Sequence, residues 1–240
     1  MSAEQARIGE NGRVNGGGFE SVLDHLTGEI LAGRVAPGDR LPNERDLAAQ
    51  LSASRSAVRE AIKVLQAQGV VTSHTGPSGG TRVATGQGMA IGRMLKLHVA
   101  LGAVSFDDLT ETRVMLERDA ARAAAGRIDE AALATLEHLL DGMSGSAEEG
   151  AFNELDTAFH ITIAGIGANR LSRDIAVAIR EAVAGHILEA ERALEGWPQL
   201  RERLNAQHRS IVDALRQGDA ALAADRIEDH IRDAHRALLG

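Results

Sequence analysis

Asp156 and His160 stand four residues apart, so a helix would place them on one face, together with Phe152, Phe159 and Ile163. Two more histidines occupy positions of the same kind. His208 shares a helical face with Leu204, Ile211, Val212 and Leu215, and His230 shares one with Ile227, Ile231 and Ala234. Burying a carboxylate and three imidazoles among aliphatic side chains is costly, and a divalent metal ion that collects all four removes most of the cost. One Asp and three His form a hard-to-intermediate N/O donor set, suited first to zinc and also to nickel or manganese. The plain alternative is that each inward histidine finds a carbonyl or carboxylate partner of its own. Such metal sites also activate water, so a metal-dependent enzyme is a rival reading. Glu154 apart, no acid or base with a definable role stands nearby, and no catalytic residue is assigned. The chain has no cysteine, which excludes disulfides and thiolate metal sites. His25, His98, His138, His186 and His235 lack the pattern and are read as structural or solvated.

A second constellation is basic. Between Ser54 and Gln68, Val58, Ala61, Ile62 and Leu65 form the inner stripe of a helix, while Arg55, Ser56, Arg59 and Lys63 recur on its outer side. Arg55 falls in the first turn, where a helix seated in the major groove brings a guanidinium to a guanine edge. Ser54 and Ser56 are short donors suited to phosphate, and Arg45, on the preceding helix, is placed for the DNA backbone. Taken over the whole chain, the net charge of -8 opposes DNA binding. Residues 19 to 86, however, hold 7 basic and 7 acidic side chains, so the acidity lies beyond them.

The elements that must hold these residues follow from periodicity and breakers. Residues 1 to 18, with Gly16-Gly17-Gly18 and almost no apolar residue, read as a flexible tail. Residues 19 to 84 read as three helices and a small β-hairpin, a winged helix-turn-helix. The helices begin near Phe19, Asn43 and Ser54, Pro37-Gly38-Asp39 makes a turn, and Gly69 ends the third. The hairpin is Val70 to His74 and Thr81 to Val83, around a Gly-rich loop. Residues 85 to 88 read as a linker. From 89 to 240 the pattern is helical throughout, with breaks short enough to imply an all-α antiparallel bundle. With 2% aromatics the cores must be aliphatic. The start of the chain lacks a signal stretch and no segment is apolar enough to span a bilayer, so a cytoplasmic protein without membrane contact is expected.

On these residues the chain resembles known families. Pro37-Gly38-Asp39-Arg40-Leu41-Pro42, Glu44-Arg45-Asp46-Leu47-Ala48, Ser54-Arg55-Ser56-Ala57-Val58-Arg59-Glu60-Ala61 and Gly79-Gly80-Thr81 resemble the GntR family of bacterial transcription regulators. The resemblance implies that Arg45, Ser54, Arg55, Ser56 and Arg59 contact double-stranded operator DNA. It also implies that the wing enters the minor groove, with His74 and Gly80 as its candidate contacts. The wing loop, Ser73 to Gly80, is longer than the often Arg-bearing form of the family. Asp156-Thr157-Ala158-Phe159-His160, Asn205-Ala206-Gln207-His208 and Glu228-Asp229-His230 resemble the FCD effector domain of the FadR branch, over about residues 90 to 238. That resemblance implies a small carboxylate effector at the metal, with Arg113 as a second clamp. Arg113 could equally be a structural partner of Glu117, one turn on. The expected function is a ligand-responsive regulator, a repressor acting as a homodimer on a two-fold operator. The alternatives are a regulator whose effector is the ion itself, and a metal-dependent enzyme.

Overall fold

A computed structural model of the chain describes residues 18–74, 79–85, 88–145, 149–167 and 169–239. The fold is mainly α, in two compact units that divide between Thr85 and Gly86. The first unit holds α1 (Phe19–Leu31), α2 (Glu44–Gln50), α3 (Arg55–Ala67), β1 (Val71–His74) and β2 (Gly80–Val83). Side-chain caps start its two short inner helices: Asn43 accepts from the Asp46 amide and Ser54 from the Ala57 amide. Val22, Leu26, Leu41, Leu47, Val58, Ile62, Leu65, Val71 and Val83 close over one another as the core. The apolar stripe of α3 is therefore turned inward, and its basic side remains outside.

The two strands pair antiparallel, with Val71 opposite Val83 and His74 opposite Gly80. The structure adds a third line to this sheet. The Leu41 amide donates to the Thr81 carbonyl at 2.8 Å, and the Val83 amide donates to the Asp39 carbonyl at 2.9 Å. The Pro37-Gly38-Asp39 turn thus returns the chain along the outer edge of β2 and ties α2 to the wing. The tip, residues 75–78, lies outside the described residues.

The second unit holds α4 (Gly88–Ala100), α5 (Phe106–Ala125), α6 (Glu130–Gly145), α7 (Glu149–Ile166), α8 (Arg170–Ala193), α9 (Trp197–Arg216) and α10 (Ala220–Leu238). Short connections make α6 and α7, α7 and α8, and α9 and α10 antiparallel neighbours, while α5 packs along α10 and α4 along α8. α4 approaches closely because Gly92 has no side chain: a Cβ there would lie 3.1 Å from the Ala178 carbonyl oxygen. Phe152, Phe159, Ile163, Leu204, Ile211, Leu215, Ile227 and Ile231 belong to one large core. Among the described residues, no helix is long and apolar enough to cross a membrane.

Candidate metal centre and nucleic-acid interface

Helices α7, α9 and α10 turn Asp156, His160, His208 and His230 toward one point, with one donor atom from each lying within 4.8 Å of the others. Asp156 Oδ1 is 3.0 Å from His208 Nε2, 3.6 Å from His160 Nε2 and 3.8 Å from His230 Nε2. Tetrahedral ligands about 2.1 Å from an ion would be roughly 3.4 Å apart, so these separations suit a shared cation. All three rings are buried. Among the described residues, His160 Nε2 and His208 Nε2 make no well-directed hydrogen bond despite the nearness of Asp156, a costly condition that ligation would relieve.

The far side of two rings is already engaged. His160 Nδ1 faces Glu117 Oε2 at 2.5 Å, and His230 Nδ1 faces Gln207 Oε1 at 3.1 Å. A proton on each Nδ1 satisfies these contacts and leaves the Nε2 lone pair turned inward, as metal ligation requires. Burial, with His208 alongside, pushes the His230 pKa down to about 3, and burial also lowers that of His208. Both are therefore neutral near pH 7. Burial works to raise the Asp156 pKa, but His160 and the Arg180 guanidinium outweigh it and hold the carboxyl well below its ordinary range. The donor set fits a divalent ion in tautomer, charge and spacing.

Around the four donors lies a buried charge network that spacing along the chain does not reveal. Arg180, from α8, donates to Asp156 Oδ2 at 2.9 Å and to Glu117 Oε2 at 3.3 Å. Arg113 donates through Nε to Glu117 Oε1 at 3.2 Å, so Glu117 is the partner that the i,i+4 spacing suggested. Arg113 is only 8% exposed, and its two terminal nitrogens make no hydrogen bond among the described residues. Burial, then the charge of Arg180, lowers the Arg113 pKa. An incoming anion would relieve both effects. Sequence reasoning missed Arg180 and Gln207. The signal for Arg180 was available: it shares a helical face with Ala176, Ile179 and Val183, where a cation needs a partner.

In the first unit the candidate DNA contacts prove to be in different states. Arg55 opens α3 and is exposed, with no hydrogen bond or ion pair among the described residues. Arg45 makes one 3.3 Å contact to Asp46. Ser54 Oγ caps α3 and lies 2.9 Å from Ser56 Oγ, and since one hydroxyl donates to the other, one hydroxyl proton of the pair is left for an outside acceptor. Arg59 is gripped by Glu44 of α2 through three contacts of 2.8 to 3.3 Å. That hydrogen bond, against a weaker effect of burial, lowers the Glu44 pKa, so its carboxyl stays charged. His74 is exposed at the end of β1. Gly80 has φ +132°, and a Cβ there would lie 2.7 Å from Arg40 Nε, so its glycine makes room for that guanidinium. Arg40, part of the sequence motif but not assigned there as a DNA contact, therefore joins the wing surface.

Residues 19–83 match the family described as bacterial regulatory proteins, gntR family, and residues 108–233 match the FCD domain. The HTH-type transcriptional regulator LutR of Bacillus subtilis is 28% identical over 88% of this chain and 96% of its own. The HTH-type transcriptional repressor NanR of Edwardsiella tarda is 31% identical over 88% of this chain and 82% of its own. Among solved structures, a GntR protein of Streptococcus agalactiae superposes with a TM-score of 0.64 at 24% identity, covering 91% of this chain and 99% of its own.

Proposed function

From the premise that this chain belongs to the GntR family of bacterial regulatory proteins, in its FadR-type branch with a C-terminal FCD domain, we propose a metabolite-responsive repressor. It is a DNA-binding transcription regulator, and its relatives are regulators rather than enzymes. In this proposal it acts in the cytoplasm as a homodimer on a two-fold operator, controlled by a small organic acid at a metal held by Asp156, His160, His208 and His230. The description of NanR as a repressor supports the direction of control. The observation that carries the proposal is the inward-facing donor set, three of its four residues buried, with Arg113 joined through Glu117 to the same charge network.

Charge balance supports an acid as the ligand. Leaving the imidazoles aside, the carboxylates of Asp156 and Glu117 offset the guanidiniums of Arg113 and Arg180. A bound divalent ion would add two positive charges and open positions for carboxylate oxygens. Arg113 would hold the acid by its terminal nitrogens while Glu117 fixes the guanidinium through Nε. If the acid prefers one arrangement of the two DNA-reading units by 2–3 kcal/mol, operator affinity changes roughly 30- to 150-fold.

Thermal melting of metal-loaded and chelated protein against a panel of small carboxylates tests this reading. An acid that binds the folded state raises the midpoint. The expected result is a rise on the loaded protein alone, with the same acid changing operator affinity. If metal alone changes operator affinity and no acid adds to it, the ion is the effector and the proposal fails.

At the DNA face, Arg55→Ala is expected to weaken operator binding by about 1–3 kcal/mol and to relax preference at one base position. Equal affinity of variant and parent at matched salt would remove Arg55 from the reading set.

A further inference from the structure

We propose that Glu44 is a positioning residue for DNA reading, holding Arg59 so that the outer edge of its guanidinium is the one presented to the operator. The inference rests on the assignment of α3 as the reading helix and of Arg59 as a DNA contact. Glu44 is the first residue of α2 and Arg59 lies in the second turn of α3, fifteen residues apart in the chain. Arg59 Nε lies 3.1 and 3.3 Å from the two carboxylate oxygens, and Nη2 lies 2.8 Å from one of them. The inner edge of the guanidinium is therefore occupied. Both hydrogens of Nη1 and the remaining one of Nη2 point away from Glu44, and this outer fork can meet guanine O6 and N7 or two phosphate oxygens.

Stability does not account for the pair. The two side chains are 57% and 38% exposed, and an ion pair so hydrated contributes little to folding. Electrostatics alone would argue against it, because a carboxylate beside Arg55, Arg59 and Lys63 weakens the attraction of that face for phosphate. What it supplies is order. An unpaired arginine loses rotamer freedom on binding, and Glu44 removes that freedom beforehand and selects one edge of the fork. Arg55, one turn earlier, makes no hydrogen bond or ion pair among the described residues and keeps both edges available. The two arginines on one helical face are thus not interchangeable: one adapts and the other is set.

The test is a double-mutant cycle on the full chain with operator and random-sequence DNA, at two salt concentrations. Arg59→Ala alone should weaken operator binding; if it binds as the parent does, the assignment of Arg59 as a contact fails. Glu44→Ala should weaken operator binding roughly tenfold while leaving random-sequence binding unchanged or stronger, and the loss should vanish in the Arg59→Ala background. Operator binding equal to or tighter than the parent's would mean that Glu44 only repels phosphate, and would overturn the proposal. So would an equal loss with Arg59 absent, since α2 itself would then be at fault. Glu44→Gln keeps one acceptor for Arg59 and the shape of the helix end, and should fall between parent and Glu44→Ala. An unchanged melting midpoint in each variant marks the loss as one of positioning rather than folding.

Discussion

Glu117→Gln is expected to destabilise the C-terminal unit by about 3–5 kcal/mol, the usual cost of removing one charge from a buried ion network. Glu117 is 3% exposed, and its oxygens meet Arg113, Arg180 and His160 from α5, α8 and α7. The amide keeps the volume but not the charge, and both arginines then lose the carboxylate that offsets their burial. The only tryptophan, Trp197, is buried in the same unit and packs edge-on to Phe152 at 5.3 Å, so its fluorescence in urea reports on this unit. Glu154→Gln, at an exposed position on α7, is the control and should change stability by no more than about 0.5 kcal/mol. Equal urea midpoints for Glu117→Gln and this control would remove Glu117 from the role assigned here. The pH dependence has a defined sign. Burial acts to raise the Glu117 pKa, but Arg180, His160 and Arg113 outweigh it and bring it well below the ordinary value. Its contribution is therefore fully present above an unfolded carboxylate pKa of about 4.3. It is lost as pH falls through the lower folded value, so parent and variant should converge in strong acid.

His208→Ala and Asp156→Ala are each expected to lower metal affinity by roughly 100-fold or more, since loss of even an outer partner of a ligand costs 10- to 100-fold. His208 is the cleaner test. It is fully buried, its lowered pKa leaves it neutral, and its Nδ1 has no hydrogen-bond partner among the described residues, so its removal strands no charge. Asp156→Ala also takes one of the two carboxylates from Arg180, and its stability should fall even without metal. Metal content after dialysis against a weak chelator, with the midpoint rise on metal addition, separates the two effects. Full stoichiometric metal in both variants would overturn the assignment.

Much of this arrangement was legible along single helices. The pair Asp156 and His160, the inward positions of His208 and His230, and the opposition of Val58, Ile62 and Leu65 to Arg55 and Arg59 all follow from one period of 3.6 residues. So do the caps, because Asn43 and Ser54 meet amides only three residues away. Partners on the same helix were within reach as well, and Arg113 does meet Glu117 one turn on.

What the chain does not announce is which face meets which. That Glu117 joins Arg113 to Arg180 and His160, that Gln207 holds His230, and that Arg40 lies over Gly80 all depend on how separate elements pack. Arg59 makes the difference plain: its place on the outer face of α3 is a matter of periodicity, whereas its capture by Glu44 arises only when the turn sets α2 beside α3. By itself the sequence determined the elements, their buried and exposed faces, the basic outer side of α3 and the four residues that converge as a candidate metal site. Tertiary structure decided the ion pairs between elements, because a side chain's neighbours across an interface are set by packing angle and offset, which no periodicity within one helix encodes.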